Sequence, residues 1–144
     1  MENKSLEYQE LNRFVGKWKT TGTIPASGES PEIKVSGSDT YEWLPGGFFL
    51  LHKVNVLLGD DKNETLEIIG FDKQINLYTM QHYDNKGNSG FMTADFKNGV
   101  WTFLGENLRF RGGFKKQDTE FLGVWEQSSD GTNWTHFMEI QLTK

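Results

Sequence analysis

The chain has 144 residues, no cysteine and a formal net charge of -5 at pH 7. Its length predicts one domain over 1–144, the missing cysteines exclude disulfides, zinc–thiolate sites and cysteine nucleophiles, and the acidic balance opposes nucleic acid, whose phosphates need a basic surface. Hydrophobic residues are 35% while aromatics reach 14%, with 16 glycines against 3 prolines, so the apolar mass sits in large rings and the chain turns often, as in an all-β protein.

The opening residues, Met1 to Glu7, contain no apolar signal core. No stretch nears the roughly 18 apolar residues of a membrane helix. A cytoplasmic protein without membrane contact is the expectation. Ser5 can cap a short helix of about two to three turns that ends near Gly16, with Leu6, Leu11 and Phe14 on one face. Everything after it reads as strand and turn.

The first strand covers about 15–24, and a loop with Pro25, Gly28 and Pro31 follows. Residues 33–43 alternate cleanly. Ile33, Val35, Gly37, Asp39, Tyr41 and Trp43 share one face, and Lys34, Ser36, Ser38, Thr40 and Glu42 the other. Pro45-Gly46-Gly47 turns the chain into a third strand over 48–58, which reads as apolar on both faces. A polar turn is predicted over 59–63. Strands over 66–71, 77–83, 90–96, 100–105, 108–114, 120–127 and 134–142 complete the chain. Asn98-Gly99 and Asp130-Gly131 supply hairpin turns.

That makes about ten strands joined by short turns. An open sheet of that size would leave two exposed edges, which closure removes. A two-sheet sandwich is the rival, but it needs long crossovers and only 25–31 offers one. The predicted fold is therefore all-β, a single antiparallel up-and-down barrel of about ten strands with a short N-terminal helix as a candidate plug. About eight strands already enclose a space that side chains can just fill, and ten enclose more. A small hydrophobic or planar molecule held inside is the expected partner, in a monomer or homodimer.

Gly16-Lys17-Trp18 after a short helix resembles the Gly-x-Trp opening of lipocalins and related calycin barrels, in which the Trp packs across the closed end. Tyr41-Glu42-Trp43-Leu44-Pro45-Gly46-Gly47-Phe48-Phe49 resembles the Trp-Leu-x-Gly-Gly-x-Phe segment of domain-of-unknown-function family 1579, a bacterial family. Ile69-Gly70-Phe71-Asp72, followed by Tyr78, is similar to that family's Gly-Tyr-Asp…Tyr segment, with Phe71 in place of the usual Tyr. The resemblance covers most of the chain. It implies a calycin-like barrel, similar also to nitrobindin-type haem barrels, and no known activity.

Few residues offer chemistry. The three histidines, His52, His82 and His136, show no metal-binding spacing. His136 follows Trp134 and precedes Met138, Ile140 and Leu142 on one alternating face, which points inward in this reading. It is either a ligand's polar handle or a hydrogen-bonded core histidine. The nitrobindin likeness adds haem ligation near the C-terminal end as a further role for it.

Asp39, on an apolar face, needs a partner or water if buried. It either lines the interior, makes a structural hydrogen bond, or is turned outward by a bulge at Gly37. Arg109 and Arg111 lie opposite Leu108, Phe110 and Phe114 and read as solvated. The reverse would suit a carboxylate ligand. No Gly-x-Ser-x-Gly elbow, P-loop or Rossmann fingerprint occurs.

The expected function is small-molecule binding by Trp18, Asp39, Tyr41, Trp43, Trp125 and His136, with no catalytic residue and no metal assigned. The alternatives are a haem-binding barrel with a histidine ligand, an enzyme using Asp39 with a histidine, and an interaction module docking through 48–58.

Overall fold

The structure, a computed structural model, describes residues 5–144. The first four residues, part of the segment read as lacking a signal core, lie outside the described residues. One helix, α1 (Leu6–Asn12), precedes ten strands. These are β1 (Gly16–Ile24), β2 (Ile33–Trp43), β3 (Leu50–Leu58), β4 (Asp61–Asp72), β5 (Leu77–Asp84), β6 (Ser89–Lys97), β7 (Val100–Leu104), β8 (Leu108–Lys115), β9 (Glu120–Gln127) and β10 (Thr135–Thr143). Every strand pairs antiparallel with its sequence neighbours, and β10 returns to β1, so the sheet is a closed barrel rather than a sandwich.

The alternation read from the sequence holds in β2, where Val35, Asp39 and Tyr41 are buried and Lys34, Ser36 and Glu42 are exposed. No bulge interrupts β2 at Gly37, which stays in register with Thr20 on β1 and Val56 on β3. Asn98 and Gly99 both have positive φ, 53° and 80°, and they join β6 to β7 as a tight hairpin.

Two strands differ from expectation. The β3–β4 turn is only Gly59 and Asp60, because Leu58 already pairs with Asp61. The polar residues beyond it are strand, and β4 starts five positions before the predicted 66. Nor is β3 apolar on both faces. Leu50, His52 and Val56 are buried, while Lys53, Asn55 and Leu57 are exposed.

One end of the barrel is plugged. Tyr8, Leu11 and Phe14, three apart in sequence, are buried on the barrel side of α1 and the turn after it. Leu6 does not join them and is 67% exposed. Nor does Ser5 cap the helix through its side chain, since its hydroxyl donates instead to Glu7 Oε1 at 2.8 Å. The helix stops at Asn12, short of Gly16.

The Phe14 ring meets Tyr41, Trp101, Phe114 and Phe121 at centroid distances of 4.8–5.2 Å. Polar bonds hold the plug in place. Trp18 Nε1 donates to Phe14 O at 2.7 Å, Trp43 Nε1 to Asn12 Oδ1 at 2.8 Å, and the Tyr78 hydroxyl to Glu7 O at 2.9 Å.

Gly112 and Gly123 face each other across β8 and β9, beneath the Phe110 ring. A Cβ on Gly123 would stand 2.2 Å from Phe110 Cζ and 2.6 Å from the Arg111 carbonyl oxygen. Both neighbours are fixed by close packing, so the added methyl strains the wall. Gly123→Ala is expected to destabilise the protein by about 1–3 kcal/mol. Urea denaturation would show this as a lower midpoint with an unchanged slope.

Candidate functional site

Beyond the plug the interior is hollow. A cavity of about 380 Å³ extends to Leu58 and Asn63, which flank the Gly59 turn. Its walls are largely apolar and include Val54, Val56, Met92, Phe103, Phe110 and Trp125. No lysine or arginine among the described residues lines it.

Five residues of the wall, Thr20, Asp39, Tyr41, His52 and Glu67, form one connected group, apart from the polar Asn63, Thr65 and His82. Antiparallel register sets Tyr41 opposite His52, His52 opposite Glu67, and Glu67 opposite His82, on four consecutive strands. Cross-strand partners on one face stand close enough for their side chains to interact. His52 Nδ1 donates to Glu67 Oε1 at 2.9 Å. His52 Nε2 donates to Asp39 Oδ2 at 2.6 Å, and the Thr20 hydroxyl donates to Asp39 Oδ1. The Tyr41 ring lies flat on the His52 ring, with centroids 3.9 Å apart and planes 9° from parallel. Thr20, Asp39, His52 and Glu67 are all buried.

The geometry dictates the charge. An ionised carboxylate only accepts hydrogen bonds, and His52 faces one from each ring nitrogen, so both nitrogens carry protons. Burial pushes the imidazole pKa down. The hydrogen bonds to Asp39 and Glu67, with their negative charges, outweigh it and raise the pKa to about 9. The group therefore sets two carboxyl side chains against one imidazole. Burial first, then the charges of Asp39 and Glu67, push the Tyr41 phenol well above its usual value, so it stays a neutral hydroxyl. Among the described residues, no group of three or more His, Asp or Glu side chains is arranged to hold a metal ion.

Of the six residues singled out from the sequence, Asp39, Tyr41 and Trp125 line the cavity. Trp18 and Trp43 do not. The indole N–H of each bonds to the plug segment, at Phe14 O and Asn12 Oδ1, which carries both rings to the closed end. His136 is exposed on the outside of the barrel, with Nε2 at 3.9 Å from Glu139 Oε1. A bulge between His136 and Met138 inserts one residue into β10, so the alternation that points Met138, Ile140 and Leu142 inward is broken before it reaches His136. Haem ligation inside the barrel by His136 is thereby ruled out.

Arg109 lies outside, paired to Glu126 at 2.9 Å and stacked 4.5 Å from the Trp134 ring centroid. Arg111 is exposed. The solvated reading of both therefore describes their side of the wall. His52, Glu67 and Thr20 carry the centre of the site and were not singled out from the sequence. Their one signal is positional, because Glu67 shares its strand face with Ile69 and Phe71, whereas His52 shares its own with Leu50 and Val54.

A family model described as "Protein of unknown function (DUF1579)" matches residues 4–144. No curated protein matches the chain. Among solved structures, the barrel is similar to that of Rv2717c from M. tuberculosis, with a TM-score of 0.65 over 99% of each chain. At 8% identity the likeness is one of fold alone. No described helix is long and apolar enough to cross a membrane.

The His52 pKa sets a pH dependence. Its folded value of about 9 lies above the ordinary histidine value of 6.5. Its contribution to stability is therefore fully present below about pH 6.5 and is lost as pH rises through about 9. The shift corresponds to about 3 kcal/mol. Denaturant midpoints taken from pH 6 to pH 10 should fall across that window, and the fall should be absent in His52→Gln.

Proposed function

The chain belongs to the DUF1579 family, whose description states no activity, and from its interior we propose that it is a small-molecule-binding barrel for a mainly apolar ligand. The observation that carries this reading is the cavity of about 380 Å³, walled by aliphatic and aromatic side chains with one polar group along its side. A water takes about 30 Å³ in the liquid, so the space suits a ligand of roughly a dozen such volumes. The rings of Phe103, Phe110 and Trp125 line the space and offer apolar contact area at small entropic cost.

The enzyme reading has one observation in its favour. Asp39 and His52 are in direct hydrogen-bond contact at 2.6 Å. A histidine base, however, uses one nitrogen for its orienting carboxylate and keeps the other for the substrate's proton. His52 has a carboxylate on both. It holds two strands and two charges together and has no nitrogen to offer. Binding is the better supported function. The calycin-like character of the barrel, suggested by Gly16-Lys17-Trp18, fits that reading, since Trp18 packs at the closed end.

Thermal-shift screening with apolar aromatic probes tests it, because a ligand that binds only the folded state raises the melting temperature. Val54→Phe should fill the cavity and cut probe affinity by about tenfold or more, with the melting temperature unchanged or raised. A probe that binds the wild type and this variant equally well is bound elsewhere.

A further inference from the structure

The proposed ligand site has a sign of charge as well as a shape. Glu67 is 7% exposed and lines the cavity, yet only its Oε1 has a hydrogen-bond partner, His52, among the described residues. Its Oε2 is an acceptor without a protein donor. The Tyr41 hydroxyl has no partner either, although Tyr41 is 6% exposed and lines the same space. Neither atom is sealed in the wall, since the fully buried unpartnered side-chain atom among the described residues is Trp101 Nε1, so both can be reached from the cavity.

The titratable groups facing this space are Asp39, Tyr41, His52, Glu67 and His82. Asp39 and Glu67 share the one imidazole of His52, which leaves Glu67 Oε2 to the cavity. The nearest fixed cations of β8, Arg109 and Arg111, face outward.

We propose that the ligand carries a cationic hydrogen-bond-donating head, an ammonium on an apolar or aromatic body, seated between Glu67 Oε2 and Tyr41. The proposal rests on the binding function above and names its ligand class. An ammonium brings donors only, which the unpartnered carboxylate oxygen and the phenol oxygen can accept. It sets a positive charge beside the Glu67 carboxyl group. A carboxylate head brings acceptors only to two oxygens that need donors, and it would face the Glu67 carboxyl group. The pocket is therefore unlike one built for fatty acids.

Three probes with one body decide it: phenylbutylamine, phenylbutanol and phenylbutyrate, titrated calorimetrically at about pH 7, where the amine is charged. The expected order is amine tightest, by about tenfold over the alcohol, with the acid weakest. Glu67→Gln keeps an acceptor for His52 and removes the charge, so it should bring amine and alcohol within about threefold of each other. Tyr41→Phe keeps the stacked ring and removes the hydroxyl. It serves as the second variant if Glu67→Gln does not fold, with amine affinity expected to fall by about threefold.

Alcohol or acid binding as tightly as the amine overturns the head-group assignment and leaves the binding function standing. Undiminished amine affinity in whichever variant folds overturns it as well. Binding of none of the three overturns both the assignment and the ligand-binding function.

Discussion

Ring closure through β1 and β10 is the constraint on which the molecule depends. A closed sheet has no edge to protect, so every strand can be short and joined by a tight turn. Closure also sets an interior wider than an eight-stranded barrel, which side chains can fill. The chain's rings are not distributed evenly along that interior. Phe14, Trp18, Trp101, Phe114 and Phe121 gather at the end that α1 covers. The remaining length is left hollow, and the cavity follows from that asymmetry.

A largely apolar hollow is a poor place for ionisable groups, and the protein puts Asp39, His52 and Glu67 there. They are tolerable because each faces its opposite. His52 lies between Asp39 and Glu67, Thr20 supplies another donor to Asp39, and Tyr41 covers the imidazole face. Buried ion pairs of this kind contribute less to stability than their Coulomb energy suggests, because desolvation opposes it. Losing one member leaves an uncompensated buried charge, which is strongly destabilising. The group joins β1, β2, β3 and β4 side by side, so it ties local register to the shape of the cavity wall.

The two ring nitrogens of His52 are both engaged. A triad-like contact between aspartate and histidine is present, yet the second carboxylate occupies the nitrogen that chemistry would need. What the group leaves open to the cavity is an acceptor and a hydroxyl beside apolar walls.

The amino-acid order by itself determined the number of strands, their meander, the hairpin at Asn98-Gly99 and the inward face of β2 that carries Asp39 and Tyr41. These follow from a period of two and from turn chemistry, both local properties of the backbone. Tertiary structure decided what meets what. His52 and Glu67 are 15 residues apart and touch only because β3 and β4 pair in one register. His136 fell outside because a single inserted residue in β10 reverses every side chain before it, and no alternation pattern announces a bulge. Trp18 and Trp43 went to the plug because α1 docks at their end of the barrel. Periodicity tells which face of a strand is buried, but the contacts of closure and helix docking decide whether that burial lines a core or a cavity.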